Sequence, residues 1–287
     1  MNNKRVTLEW GKRTYVMGII NLTSDSFSGD GTLQFRDPIQ YALKKAKQFL
    51  KDGADILDIG AESSRPGSKP ISASIELGRL LPVLIALKKE NFKGIISIDT
   101  YKAEVARQCL ENGADWINDI WGHRKDADLA NILSQYRAPV ILMHNRSKHS
   151  AVENNERLGA SYQGAVYSNF MEEIKKDLLE SVSIAYKAGI NKENIILDPG
   201  IGFGKTVGQN LVLINRLDEI KALGFPILIG PSRKSFIGLV LDLPVEERLE
   251  GTAACLAVGI TRGADIVRVH DVKYMSRIVK VTDALTR

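Results

Sequence analysis

The sequence contains few cysteines and few aromatic residues, and it has no long apolar run. Only two of its 287 residues are cysteine, and aromatic residues make up 7%. Two cysteines far apart in the chain exclude a disulfide-rich scaffold, and we expect free thiols in a reducing compartment. No apolar run reaches the roughly 20 residues that a membrane helix needs. The N-terminus, MNNKRVTLEW, lacks the apolar core of a signal peptide, so we expect a cytoplasmic protein without a membrane partner.

The positive charge of the chain is spread out. Its net charge is +5 and its pI is about 9.0, but the lysines are dispersed along helix-like segments without interleaved aromatic residues. Charge in this pattern is typical of a solvated surface, and we do not expect a nucleic-acid partner. The same potential would attract a small anionic substrate.

Apolar, β-prone runs alternate with amphipathic helical segments along the whole chain. Continuous apolar strands of this kind are typical of parallel sheets that are buried on both faces. Eight strand–helix units predict one domain, residues 1–287, folded as a single (β/α)8 TIM barrel with parallel strands. An open, doubly wound sheet is the alternative. The predicted strands cover residues 15–20, 54–60, 94–98, 115–120, 139–143, 195–198, 226–230 and 264–269.

The connections differ in length. The βα loops after strands one, two and five are extended, and residues 144–167 have no clear period, so we expect a mobile loop there. Late in the chain, single helices are predicted over residues 210–223 and 245–262.

Residues 195–206, IILDPGIGFGKT, contain the densest local signal. A buried strand ends at Asp198, and three glycines at alternate positions then flank Phe203. Glycine in this density lets the backbone turn sharply and approach a ligand. A tight turn capped by the Asp198 side chain is the alternative.

In a (β/α)8 barrel, the active site lies at the C-terminal ends of the strands. Every predicted strand here ends in polar or charged residues, whereas turns at the opposite end, such as those before Asp55 and Asp115, have ordinary turn chemistry. The polar strand ends carry Asn21, Glu62, Asp99, Asn118, His144, Asp198, Lys234 and Arg268.

The residue types at the strand ends indicate two kinds of ligand group. Asp99, Asn118 and Asp198 would suit a flat heterocycle rich in N–H donors, because carboxylates accept paired N–H groups. A helix N-cap is the alternative role for each acid. Lys234, Arg268 and His270 follow strands seven and eight, the usual phosphate-binding sector of this fold. The sequence therefore predicts a site for a donor-rich ring that carries phosphate.

Seven ordered motifs make the chain resemble the dihydropteroate synthases over nearly its full length. They are MGIINLTSDSFSGDG, DIGAESSRPG, SIDTYKAEVA, INDI, DPGIGFGK, SRKSFIG and RVHD. The resemblance implies condensation of 6-hydroxymethyl-7,8-dihydropterin pyrophosphate with p-aminobenzoate, with Mg²⁺ as cofactor. It also implies inhibition by sulfonamides and a homodimer formed through late helices, where Leu239, Val240 and Leu241 could pack.

The resemblance also implies roles for residues that match the family's motifs. Those implied to hold the pterin are Asp99, Asn118, Asp198, Lys234 and Arg268. Those implied to bind pyrophosphate are Asn21, Arg268 and His270, with Asn21 also near the metal. Those implied to surround p-aminobenzoate are Ser64, Arg65, Pro66, Phe203 and Ser235. Those implied to act in catalysis are Lys234, Arg268 and a loop-one carboxylate, either Asp25 or Asp30.

The chain departs from the family's usual pattern at Ser24, Asp30, Ala61 and Ser64, on loops one and two. These departures leave the pterin residues intact and bear on the p-aminobenzoate side. Two other functions share the ring site. A pterin-binding methyltransferase has no need for the basic sector, and a non-catalytic pterin-binding paralogue has no need for Asp25 or Arg65.

Overall fold

The computed structural model describes residues 8–23, 37–148, 151–155 and 157–287. Ten strands occur in these residues: β1 Tyr15–Asn21, β2 Ile56–Gly60, β3 Ile95–Asp99, β4 Trp116–Asp119, β5 Val140–Met143, β6 Val152–Asn155, β7 Gly159–Tyr162, β8 Ile195–Asp198, β9 Leu228–Ile229 and β10 Ile266–Val269. The α-helices are α1 Pro38–Lys51, α2 Ala73–Lys89, α3 Ala103–Glu111, α4 Leu129–Tyr136, α5 Phe170–Lys187, α6 Val207–Asn215, α7 Leu217–Lys221, α8 Ser235–Leu241, α9 Leu249–Thr261 and α10 Val272–Thr286.

Eight parallel strands form the predicted barrel. Their order is β8-β5-β4-β3-β2-β1-β10-β9. The two outer strands meet through a parallel bridge between Leu197 and Ile227, where the Leu197 amide donates to the Pro226 carbonyl at 2.9 Å. The TIM-barrel prediction is confirmed, although β9 is shorter than the predicted strand over residues 226–230.

Two apolar clusters fill the molecule. One cluster lies between the strands and the surrounding helices, as expected for strands with apolar side chains on both faces. The other includes Met17, Ile56 and Trp116 from the strands, with Trp10 packed against it. Alternate strand residues thus pack towards the helices and within the barrel, which fixes the direction of each strand-end side chain.

Local capping explains where several helices begin. The Asp37 carboxylate accepts the Gln40 amide at 3.0 Å, and Pro38 occupies the first turn of α1, as predicted.

The single helix predicted over residues 210–223 is wrong, because the structure has two helices, α6 and α7, around Arg216. The helix predicted over residues 245–262 is present as α9, which begins at Leu249, whereas the short apolar helix α8 before it was not predicted.

The expected mobile loop at residues 144–167 contains a β-hairpin. Strands β6 and β7 pair antiparallel, with Val152 opposite Tyr162 and Asn154 opposite Ala160. The Gln163 amide closes the base of this hairpin on the Ala151 carbonyl at 3.0 Å. The hairpin was not predicted because most β6 side chains face solvent, so the strand has no apolar alternation.

Three acidic residues lie at the N-terminal end of the barrel. Asp55, Asp115 and Asp265 each end a Gly-Ala-Asp turn. Their carboxylates accept the backbone N–H groups of Val16 at 2.9 Å, Ile96 at 2.9 Å and Ile227 at 2.8 Å. Each acid therefore joins its turn to a neighbouring strand, as expected of turn chemistry.

In the described part of the chain, no helix has the length and apolar character needed to cross a membrane.

Candidate active site

The C-terminal strand ends surround one cavity. Loop two, the glycine-rich loop after β8, the loop after β9 and the β6–β7 hairpin form its walls. Its lining includes Asn21, Glu62, Ser64, Arg65, Pro66, Asp99, Ala160, Tyr162, Phe203, Ser232, Lys234, Ser235, Arg268 and His270. Ten of the predicted site residues thus lie around one cavity.

A network of charged and polar side chains forms the floor. The Arg268 Nε donates to Asp58 Oδ2 at 2.6 Å, and its Nη2 donates to Asp99 Oδ2 at 2.8 Å. Asp58 also accepts the Ser97 hydroxyl at 2.7 Å and the Asn118 amide at 3.0 Å. One guanidinium thereby connects the last barrel strand with β2 and β3.

Asn118 has a buried acceptor that no described residue satisfies. Its amide nitrogen donates to Asp58, but Oδ1 is inaccessible to solvent and has no partner among the residues that the structure describes. An unsatisfied buried carbonyl of this kind costs about 1–3 kcal/mol. A ligand with an N–H donor would remove this cost, so Asn118 is poised to accept a hydrogen bond.

The acids of the floor have shifted pKa values. Burial raises the pKa of Asp99 to about 7, although the Arg268 charge opposes the shift. Burial also raises the pKa of Asp198, against the charge of Lys234. The Asp198 Oδ1 accepts the Gly200 amide at 2.7 Å, so this carboxylate does cap the turn that follows it. Shifts of this kind are common at functional sites.

Lys234 lies against the glycine-rich loop on its cavity side. Its ammonium donates to the Ile201 carbonyl and lies 4.6 Å from the centre of the Phe203 ring. Burial lowers the pKa of Lys234 to about 8, and the Asp198 charge opposes that shift. Gly202 permits this contact, because a Cβ there would lie 2.8 Å from the Lys234 side chain.

Lys205 lies on the opposite, buried side of the same loop. Its Nζ donates to the carbonyls of Gly200 at 2.8 Å and Phe203 at 3.1 Å, and lies 3.0 Å from His144 Nδ1. Burial and the Lys205 charge lower the pKa of His144 to about 3, so this ring is neutral at neutral pH. Lys205 therefore anchors the loop that presents Phe203 to the cavity.

The loop after β9 presents its side chains from a constrained turn. Arg233 has a φ of +58°, and its guanidinium forms a two-point ion pair with Asp271 at 2.5 and 2.8 Å. The Ser232 hydroxyl lies 3.0 Å from His270 Nδ1. These contacts orient His270 and Lys234 towards the basic side of the cavity.

Loop two is fixed at its base by an ion cluster. Lys102 donates to Glu62 at 2.6 Å and to the buried Glu76 at 2.5 Å. Glu62 also accepts the Ile71 amide at 3.0 Å, on the far side of the loop. The loop that carries Ser64, Arg65 and Pro66 is therefore held at both ends beside the cavity.

Two predicted residues that the structure describes do not line the cavity. Asn118 and Asp198 are buried behind its surface, where Asn118 shares Asp58 with Arg268. Asp25 and Asp30 lie outside the described residues. The other members of the predicted set contact the cavity directly.

Asp58 and Tyr162 are among the residues of the cavity region that were not predicted from the sequence. Asp58 lies within β2, between apolar neighbours, and its side chain is fully buried. A single acid inside an apolar strand was the available signal, since a buried carboxylate needs partners. Tyr162 had no comparable signal, because its hairpin was expected to be a mobile loop.

No group of three or more His, Cys, Asp or Glu residues that could hold a metal occurs within the described ranges. Asn21 lies at the end of β1 and lines the cavity, as predicted. Mg²⁺ often binds through one or two protein oxygens together with substrate phosphates and water. The amide oxygen of Asn21 beside a basic phosphate sector fits that mode of binding.

The cavity lies at the C-terminal end of the (β/α)8 barrel, and its floor of hydrogen-bond acceptors adjoins a basic sector. This arrangement defines a class of enzyme. A family model described as pterin binding enzyme matches residues 17–270. The dihydropteroate synthase of Clostridium beijerinckii is 52% identical over 96% of both chains. That of Bacillus subtilis is 45% identical over 99% of this chain and 93% of its own.

Two solved structures have the same fold. Dihydropteroate synthase from Clostridium difficile, crystallised in the presence of pteroic acid, superposes with a TM-score of 0.87 at 43% identity, covering 98% of this chain and 100% of its own. The Yersinia pestis enzyme, in a sulfonamide drug complex, gives 0.89 at 34% identity over 99% and 98%. This chain therefore belongs to the dihydropteroate synthases, which are transferases of the pterin-binding enzyme family.

Proposed function

We propose that this chain condenses 6-hydroxymethyl-7,8-dihydropterin pyrophosphate with p-aminobenzoate to give 7,8-dihydropteroate and pyrophosphate. The observation that carries the proposal is the joining of three environments in one cavity. An acid–amide floor, a basic sector and an aromatic wall lie within reach of a single substrate pair. Each environment suits one part of the reactants.

The pterin ring would lie on the floor. Its amino-pyrimidinone edge donates paired N–H groups, which Asp99 and Asp198 can accept and Asn118 Oδ1 can complement. Arg268 would then leave Asp99 and lie along the ring, because its guanidinium occupies that carboxylate in the structure. The pyrophosphate would extend towards Arg268 and His270, which line the same cavity.

The reaction exchanges one bond at the pterin methylene carbon. The C–O bond to pyrophosphate breaks and takes its electron pair to the leaving group. The arylamine nitrogen then forms a C–N bond and loses a proton to pyrophosphate or water. Arg268 and His270 would stabilise the departing charge, and Asp25 or Asp30 would stabilise the cation left on the pterin. The arylamine is neutral, so positioning matters more than a strong base.

Phe203, Ser235 and loop two would position p-aminobenzoate. The Phe203 ring borders the cavity beside Lys234, and Ser64, Arg65 and Pro66 face it from loop two. Asn21 would hold Mg²⁺ together with the pyrophosphate oxygens, and the ion would neutralise phosphate charge. Heat of binding of the pterin pyrophosphate, with and without Mg²⁺, tests that role in Asn21→Ala without requiring turnover.

Release of pyrophosphate is the experiment that tests the function. The protein is mixed with the pterin pyrophosphate and Mg²⁺, and release is followed with and without p-aminobenzoate. Release that depends on the arylamine is the expected result. Tight pterin binding without release would support the non-catalytic paralogue instead. Methyl transfer from methyltetrahydrofolate to a corrinoid, without pyrophosphate release, would support the methyltransferase.

We also propose that the chain forms a homodimer. Leu239, Val240 and Leu241 on α8 are between 42% and 53% exposed, which leaves an apolar face on a late helix. Sedimentation of the wild type and of Val240→Glu tests this assembly, with a dimer expected only for the wild type.

A further inference from the structure

The β6–β7 hairpin forms a wall of the cavity, and none of the residues proposed to bind pterin or pyrophosphate lies on this hairpin. Side chains of a strand alternate between its two faces, and here Ala160 and Tyr162 line the cavity while Glu153 on β6 is exposed. The hairpin therefore has one face that belongs to the site.

Tyr162 connects this hairpin with two other walls of the cavity, loop two and the glycine-rich loop. Its hydroxyl donates to the Ser64 carbonyl in loop two at 3.1 Å. Its ring lies 6.1 Å from the Phe203 ring, at an angle of 30° between the planes. The side chain is 7% exposed, so its position is set by packing as well as by the hydrogen bond.

Arg248 fixes the turn of the hairpin from below. Its guanidinium is fully buried and donates to the Leu158 carbonyl at 2.8 Å and to the Arg233 carbonyl at 3.0 Å. The same side chain thus connects the hairpin turn with the loop that presents Lys234. An anchored hairpin can discriminate between ligands, because its side chains do not simply move aside.

We propose that Tyr162 is a specificity-determining residue that selects small para-substituted arylamines. This inference rests on the proposed function. The arylamine nitrogen must reach the methylene of a pterin on the deep floor, so its para substituent faces the outer walls. Tyr162 and Phe203 hold the aromatic ring there, and the hairpin limits the space beyond the carboxylate. Ala160, on the same face, supplies the space that p-aminobenzoate needs.

Two arylamines of different length test the proposal in the full-length protein. p-Aminobenzoate and p-aminohippurate have the same amine and ring, but the second has an added glycyl group at the carboxyl end. KM and kcat are measured for each arylamine and for the pterin pyrophosphate, by pyrophosphate release. The wild type should prefer p-aminobenzoate.

Tyr162→Ala should raise the KM for p-aminobenzoate by roughly tenfold, because the loss of an aromatic contact weakens binding by about that factor. The same variant should raise the KM for p-aminohippurate by a smaller factor. The KM for the pterin pyrophosphate should stay within about twofold of the wild-type value. Tyr162→Phe keeps the ring and should keep the preference between arylamines. Glu153→Ala, on the exposed face of the same hairpin, is the matched control and should resemble the wild type.

Unchanged arylamine KM values in Tyr162→Ala would overturn the proposal, as would an equal rise for all three substrates. If Tyr162→Ala does not fold, Ala160→Leu tests the same wall by filling it. That variant should exclude p-aminohippurate more strongly than p-aminobenzoate, and equal effects would contradict the proposal. A wild type that releases no pyrophosphate with either arylamine would overturn the proposed function itself, before any variant is made.

Discussion

Acidic residues at the two ends of the barrel have different partners. At the N-terminal end, Asp55, Asp115 and Asp265 each accept a backbone N–H of a neighbouring strand, and Asp55 and Asp265 also accept the side chains of Arg13 and Lys221. At the C-terminal end, Asp58 and Asp99 accept N–H groups from side chains. A backbone donor in a strand cannot leave, whereas a side-chain donor can rotate away. The comparison indicates that partner type, more than burial, separates structural acids from acids available to a ligand.

Asp198 combines the two patterns. Its Oδ1 accepts the backbone N–H of Gly200, as a structural acid does. The nearby charge of the Lys234 side chain, however, resembles the surroundings of the acids at the ligand end. Both alternatives considered for this residue from the sequence are therefore compatible with its contacts. It caps the glycine turn and remains part of the proposed pterin site.

The largest effect is expected at the structural end. Asp265→Ala removes the acceptor of the Ile227 amide and of Lys221, where the barrel closes between β8 and β9. We expect a loss of about 3 kcal/mol in the free energy of unfolding, measured in urea, because the buried Ile227 amide is left unpaired and Lys221 loses its ion pair. The activity of the folded fraction should be unchanged. A stable variant with impaired turnover would contradict the distinction between the two ends.

The opposite result is expected from Asp99→Asn at the ligand end. Loss of a charged acceptor should weaken pterin binding by about thirtyfold, or roughly 2 kcal/mol, by calorimetry. The free energy of unfolding should change by less than about 1 kcal/mol, because Arg268 keeps Asp58 as a partner. Wild-type affinity in this variant would remove Asp99 from the proposed pterin site.

Lys234→Ala should lower kcat/KM by more than about tenfold while the fold survives. Lys234 contributes charge beside Asp198 and contacts Phe203, but lies on the cavity side of the loop. Lys176→Ala, at an exposed position on α5, is the matched control. Turnover like that of the wild type would exclude Lys234 from the machinery, and circular dichroism checks the fold.

The smallest effect concerns pH. Burial raises the pKa of Asp99 to about 7, so the residue binds a proton as the pH falls below that value. The protonated acid loses an acceptor, and pterin affinity should weaken by up to about tenfold between pH 8 and pH 6. A pterin without pyrophosphate serves as the probe, since phosphate titrates in the same range. The dependence should be absent in Asp99→Asn, and its persistence there would assign it to another group.

The sequence predicts the rim of the barrel well because strand ends are marked by a change from apolar to polar residues. Asn21, Asp99, Lys234 and His270 all follow that rule, and the structure brings them to one cavity. The rule cannot find Asp58, which lies inside a strand and owes its partners to side chains from three other strands.

The hairpin could not be predicted for a different reason. Its side-chain pattern is dictated by contacts with loop two and α8, rather than by a core of its own. Tyr162 packs beside Ser64 and Phe203, and both come from distant parts of the chain. Local periodicity carries no record of such contacts.

Arg268 has a consequence for the rate of ligand exchange. Its guanidinium presents a planar fork of N–H donors to the floor acids, much like the amino-pyrimidinone edge of a pterin. The carboxylates of Asp58 and Asp99 are therefore each paired with a donor of the same internal guanidinium. A pterin that docked on Asp99, as we propose, would replace the Nη2 donor of Arg268, so its association would be coupled to the rotation of a single side chain. The displaced cation is then already beside the phosphate that it is proposed to bind.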